Sequence, residues 1–146
     1  MMIKIILASK SGVRKQILNK NDIDCEVIPA NINEDQIKES LLKEKVTSKL
    51  ISKNLAELKA NKVSEKKFNE IVLGADSVID LNGKLISKPT NRKEALNILK
   101  ELNGQRHQLI SSVCISRNGS MIWNFTDTSN LTMKQLNLDE IKSYLI

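Results

Sequence analysis

The chain has 146 residues, 40% of them apolar and 27% charged, with a formal net charge of +6 and an isoelectric point near 9.3. That length fits one domain with a respectable core, and no apolar run approaches the roughly 20 residues of a membrane-spanning helix, so no membrane segment is expected. Cys25 and Cys114 are far apart and lack neighbouring histidines, which speaks against a disulfide framework or a zinc site. One Trp, one Tyr and two Phe leave little for stacking single-stranded bases.

Residues 3–8 (IKIILA) form a near-continuous apolar run of strand length that ends in the polar stretch Ser9, Lys10, Ser11 and Gly12. No small-residue cleavage pattern follows, so the run reads as a first strand rather than a signal peptide, and a cytoplasmic protein is expected. Val13, Ile17 and Leu18 then recur at helical spacing up to about Asn19, and residues 25–29 (CEVIP) read as a second strand. From Glu34 onward one long amphipathic helix is expected, with Val46, Leu50, Ile51, Leu55 and Leu58 on one face and an end near Val63. Residues 71–75 (IVLGA) form a strand, with Asp76 expected at its end.

Asn82-Gly83 between extended segments at 78–80 and 84–87 is a hairpin signal. Asn91 followed by Glu94 predicts a capping box opening a helix with Ala95, Leu96, Leu99 and Leu102, closed by Asn103 and Gly104. Residues 107–116 and 121–132 flank Asn118-Gly119 as a second hairpin, and Asn137 with Glu140 opens a last helix. That helix meets no stop signal before Ile146, so the chain reads as a single domain cut short at its C-terminus. Strands interleaved with helices, together with hairpins, predict an α/β fold with a mixed sheet.

Two places invite chemistry. The loop from Ser9 to Arg14 lies between a buried strand and a helix start, where free N–H groups and the helix dipole favour an anion, although many such turns only cap a helix. Asp76 stands at a strand end, where α/β folds place catalytic groups and where aspartates also serve as turn residues. The positive charge suits an anionic partner, but lysines are spread along the chain as on an ordinary solvated surface. His107, the sole histidine, is read as supporting the loop at residues 104–106.

Taken together these segments resemble the Maf-like nucleoside triphosphate pyrophosphatases over essentially the whole chain. Residues 7–14 (LASKSGVR) stand where that family has L-A-S-x-S-P-R-R, and Ile32, Asn33 and Glu34 stand for V-D-E. Residues 55–60 (LAELKA) stand for the helix motif ending L-x-x-K-A, residues 74–78 (GADSV) for G-A-D-T-V, Lys88-Pro89 for K-P, and residues 102–107 (LNGQRH) for L-S-G-x-x-H. The resemblance implies a mixed twisted sheet flanked by helices, similar to the Maf and inosine triphosphate pyrophosphatase folds, with a nucleotide cleft. It also implies cleavage of a nucleoside triphosphate between its α and β phosphates, with Asp76 as general base. Ser9, Arg14, Lys59 and Lys88 are the implied substrate-binding donors, and Glu34 with Asp76 the implied ligands of a divalent cation, Mg²⁺ or Mn²⁺.

Gly12 and Val13 replace the family's proline and first arginine, which removes one cation from the phosphate cradle, and Asn33 replaces an acidic residue. The resemblance leaves the base open, since the family includes enzymes for dTTP and UTP and others for modified nucleotides such as 7-methyl-GTP, and it allows a homodimer. Two alternatives stand beside the enzyme: a noncatalytic nucleotide-binding or interaction protein on the same fold, and a basic nucleic-acid-binding module, against which the scarcity of aromatics argues.

Overall fold

A computed structural model describes residues 3–145. The first strand β1 (Ile3–Leu7) leads through a short polar loop into helix α1 (Gly12–Lys20) and then strand β2 (Ile23–Val27). Helices α2 (Glu34–Lys43) and α3 (Ser48–Ser64) precede the ten-residue strand β3 (Val72–Leu81) and the short strand β4 (Lys84–Ile86). Helix α4 (Arg92–Leu102), strands β5 (Arg106–Arg117) and β6 (Ser120–Thr132), and helix α5 (Leu138–Tyr144) complete the chain. No helix among the described residues is long and apolar enough to cross a membrane.

The strands form one six-stranded sheet in the order β2-β1-β3-β5-β6, with β4 joined to β3. β1 runs parallel to β2 and β3, whereas β5 is antiparallel to β3 and β6. The mixed α/β sheet flanked by helices is therefore the expected architecture. Both predicted hairpins are present, each turning on an Asn-Gly pair with positive φ at both residues: 52° and 89° at Asn82-Gly83, 51° and 83° at Asn118-Gly119. This left-handed backbone matches the twist of the flanking strands, and Asn and Gly tolerate it best.

α3 lies across β3 and β5 and closes the core. Its buried stripe runs Ile51, Leu55, Ala56, Ala60 and Val63, against Ile6, Val72 and Cys114 from the sheet. Ala56 and Ala60 are small because β3 passes close by at Gly74. A Cβ there would run into the Ala56 carbonyl oxygen and sit 2.8 Å from the Ala60 nitrogen. Both cysteines are free, buried thiols, and burial pushes Cys114 up to about 11.

Two expectations about helices need correction. The single long helix from Glu34 is two helices, broken at residues 44–47. Lys45 there takes φ 57°, which ends α2, and the Thr47 side chain accepts a hydrogen bond from Leu50 N (3.3 Å), which starts α3. The face assigned to that helix is also shifted, because Leu50 and Leu58 are 49% and 43% exposed while Ser48, Ser52, Lys59 and Ser64 are buried. At α4 only half of the expected capping box forms. The Asn91 side chain caps Glu94 N, but the Glu94 carboxylate reaches back to the nitrogen and hydroxyl of Thr90 instead of to Asn91. At α5 the box is complete.

Candidate active site

The site occupies a gap in the sheet. β1 pairs with β3 only at Ile6↔Val72 and Leu7↔Leu73, and the ladder ends with Ala8 N donating to Leu73 O (2.8 Å). β4 takes up the same edge of β3 only from Ile79. Between them the carbonyl of Ala75, two residues beyond Leu73 and so facing the same side, has no strand partner. Two cations fill the place: Lys59 Nζ and Arg14 Nη1 both donate to Ala75 O, each at 3.2 Å. The requirement that backbone carbonyls be satisfied thus draws both side chains to the start of the Asp76 segment.

Asp76 does not lie at a strand end, as expected, but in the middle of β3, in register with Ser112 of β5. A rigid strand positions it better than a turn would. Its side chain points to α3, where Oδ1 lies 3.3 Å from Lys59 Nζ, and its main-chain carbonyl accepts a hydrogen bond from the fully buried Ser52 hydroxyl (3.0 Å). Oδ2 is buried and has no hydrogen-bond partner in the protein. An orphaned carboxylate oxygen of this kind costs free energy unless a ligand satisfies it.

Lys59 also contacts Glu34 Oε1 at 2.6 Å, so one buried ammonium lies between two carboxylates. Glu34 is presented as the first residue of α2, which Asn33 caps by accepting from Gln36 N (3.1 Å). The departure at Asn33 thus makes a helix cap. The two carboxylates respond oppositely. Burial raises Asp76 above its ordinary value of 3.8, with the charge of Lys59 pulling the other way. Burial also pushes Glu34 upward, but the hydrogen bond and charge of Lys59, together with Lys38 and Lys88, hold it below its ordinary 4.5.

The loop after β1 is folded on its own hydroxyls. Ser11 caps α1 by accepting from Arg14 N (3.3 Å), while Ser9 Oγ accepts from Ser11 N (3.2 Å) and Arg14 Nη1 (3.0 Å). With both lone pairs of Ser9 engaged, its own hydrogen is left to donate elsewhere. Arg14 is anchored through Nη1, which leaves Nε and Nη2 for a ligand.

Ser9, Arg14, Glu34, Lys59, Asp76 and Lys88, from five separate segments, all line one cleft of about 420 Å³. Every residue singled out as a site candidate is therefore brought to the same place. Lys10, Ser11 and Ser77 share the wall. Lys38, one turn after Glu34 on α2, was missed; it acts on both carboxylates electrostatically, and its i+4 spacing from Glu34 was the available signal. His107 lies outside the cleft, with Nδ1 3.4 Å from Gln105 O, beside the loop that it is expected to support.

A family model described as Maf-like protein matches residues 4–146. The chain belongs to the Maf-like protein family. This Maf-like chain is 68% identical over 145 residues to the nucleoside triphosphate pyrophosphatase of Pelagibacter ubique (strain HTCC1062), covering 99% of the chain and 74% of that protein. It is 32% identical to the 7-methyl-GTP pyrophosphatase of Brucella abortus biovar 1 (strain 9-941), over 99% of the chain and 73% of that protein. Among solved structures, the Maf-like chain has a TM-score of 0.52 to a HAM1 protein from Coxiella burnetii at 14% identity, covering 88% of this chain and 71% of that one. It has the same score to a dITP/XTP pyrophosphatase from Mycobacterium abscessus at 11% identity, covering 89% and 74%. At those identities the likeness speaks for the fold alone.

Proposed function

We propose that the chain hydrolyses nucleoside triphosphates between the α and β phosphates, releasing a nucleoside monophosphate and pyrophosphate. The observation that carries this is the convergence in one cleft of a buried carboxylate of raised pKa, a hydroxyl with a free hydrogen, a guanidinium with two free nitrogens and ammonium groups. Its family membership and the names of its relatives point the same way. A phosphoryl reaction demands little covalent chemistry from the protein. It needs a positioned water, cations on the non-bridging oxygens and exclusion of competing geometries.

Asp76 is the base in this reading. It takes a proton from water as the water oxygen bonds to the α-phosphorus, and the bond from that phosphorus to the bridging oxygen breaks, with pyrophosphate leaving. A carboxyl whose pKa is raised by burial is a better proton acceptor than an exposed one. Arg14, Ser9 and Lys88 bind phosphate oxygens. Lys59 fixes Asp76 against the strand and adds positive charge to the cleft.

The residues fit a divalent cation, because the orphaned Oδ2 of Asp76 and the half-buried Glu34 carboxylate, drawn to the same ammonium, are hard oxygen donors. Glu34 and Asp76 would hold Mg²⁺ or Mn²⁺ there. Such an ion supplies charge neutralisation at phosphate oxygens when bound. With no third His, Cys, Asp or Glu clustered near them among the described residues, the remaining ligands would be water and phosphate.

The deciding experiment mixes the protein with a panel of triphosphates, uridine, thymidine, guanosine and 7-methylguanosine, and either metal, and detects pyrophosphate. Product that disappears in Asp76→Asn supports the assignment. Calorimetric binding without product over long incubation would instead identify a noncatalytic nucleotide-binding protein.

A further inference from the structure

The chain contains three Asn-Gly pairs, at Asn82, Asn103 and Asn118. In such a pair the following backbone nitrogen can attack the side-chain amide, since glycine has no side chain to block the approach. Whether it does so depends on how firmly the amide is held. Asn103 is clamped at both ends: Nδ2 donates to Leu136 O (2.9 Å) and Oδ1 accepts from Leu136 N (2.8 Å). Asn118 is clamped likewise by Asn69, with Nδ2 donating to Asn69 Oδ1 (3.0 Å) and Oδ1 accepting from Asn69 N (2.8 Å). Its neighbour Gly119 N donates to Ser64 Oγ (2.9 Å), a neutral hydroxyl that is too weak a base to take the proton.

Among the described residues no such clamp holds Asn82, which is exposed at the tip of the β3–β4 hairpin. The attacking group is well placed for activation. Gly83 N donates to Asp80 Oδ1 at 2.8 Å, so a carboxylate stands at the proton that must leave, and the other oxygen of Asp80 accepts from Ser48 (2.5 Å), which holds that carboxylate in position. The hairpin is also the easiest to open, because β4 has three residues and pairs with β3 alone. In contrast, Asn118 joins two strands paired along twelve positions.

We propose that Asn82 is a site of spontaneous deamidation in the folded protein, with water as the co-reactant. Gly83 N bonds to Asn82 Cγ, the bond to Nδ2 breaks, and ammonia leaves with the proton that Gly83 N gave up. Water then opens the resulting succinimide at either carbonyl, giving aspartate or isoaspartate. Isoaspartate adds a methylene to the main chain of a two-residue turn, so the register Leu81↔Lys84, Asp80↔Leu85 and Ile79↔Ile86 is lost. Lys88 follows that strand by two residues and lines the cleft. The effect on turnover rests on the proposed function, whereas the modification does not.

The test ages the native chain in mildly alkaline buffer, digests samples over time and follows each Asn-Gly peptide by mass spectrometry, with isoaspartyl methyltransferase labelling to mark isoaspartate. Conversion at Asn82 is expected to outrun that at Asn103 and Asn118 by roughly tenfold or more, and the three rates to converge in urea. Asn82→Gln, which does not close the five-membered ring, should silence that peptide. Similar native rates at all three, or an unchanged Asn82 over a period in which the unfolded chain converts, overturns the proposal. Full turnover in an isoaspartate-enriched fraction overturns the link to Lys88 alone, and absence of pyrophosphatase activity in fresh protein counts against the hydrolase reading instead.

Discussion

Lys59 and Asp76 form an ion pair inside the protein, 3.3 Å apart with side chains 9% and 6% exposed, and the same ammonium reaches Glu34 at 2.6 Å. Breaking a buried pair from one side leaves the other charge stranded, which typically costs about 3–5 kcal/mol. Lys59→Met should therefore lower the urea midpoint at neutral pH and recover part of the loss on acidification, as Asp76 becomes protonated. An unchanged midpoint at both pH values would remove Lys59 from its assigned place.

Asp76→Asn keeps the shape of the strand and removes the proposed base. Its kcat should fall by about 10²–10⁴-fold, with a smaller change in KM. Steady-state kinetics with quantified pyrophosphate measures this, and undiminished turnover would dismiss Asp76 as the proton acceptor.

The opposed carboxyl shifts give opposite stability profiles. Asp76 is raised, so its contribution to stability is present below 3.8 and is lost as pH rises through its folded value. Glu34 is lowered, so its contribution is present above 4.5 and is lost as pH falls through its folded value. Relative to the parent, Asp76→Asn should gain stability as pH rises across the first window, and Glu34→Gln should gain as pH falls across the second. Urea midpoints against pH for the three proteins check both signs.

Arg14 bridges Ser9 Oγ and Ala75 O through one nitrogen while leaving others for the phosphate it is proposed to bind, a division that a single ammonium does not reproduce. In Arg14→Lys the nucleotide KM is expected to rise on the order of tenfold, in keeping with the loss of a hydrogen bond to a charged group. Retention of the parent KM and kcat would show that guanidinium geometry is immaterial there.

Gly74→Ala tests how the site is held from behind. The added methyl meets Ala56 and Ala60, so α3 must move away from β3, carrying Lys59 with it. A loss of about 1–3 kcal/mol or more in chemical denaturation is expected, together with reduced turnover.

Much of this was legible in the sequence because the signals were local. Asn-Gly placed both hairpins, Asn-x-x-Glu placed α4 and α5, and apolar runs placed β1 and the start of β3. What failed depended on distant partners. A charged residue followed by serine reads as the end of a strand, and only the neighbouring β5 keeps β3 extended through Asp76 and Ser77. The break between α2 and α3 was hidden because Leu50 and Leu58 continue a plausible apolar face although both lie exposed. Without the motif resemblance Lys59 reads as one more solvated lysine, yet it shares the stripe of Leu55, Ala56, Ala60 and Val63, and a lone cation on such a stripe marks a buried charge awaiting partners. The convergence of the six cleft residues followed from motif resemblance, since no spacing in the chain shows where separate loops meet.

The abrupt stop of β1 is a condition for the cleft to exist. Two more residues of pairing with β3 would give the Ala75 carbonyl an ordinary ladder partner and leave Arg14 and Lys59 nothing to grip. In the proposed function the chemistry depends on an interruption of regular structure, so a design that perfected the sheet would take away the grip that holds its cations.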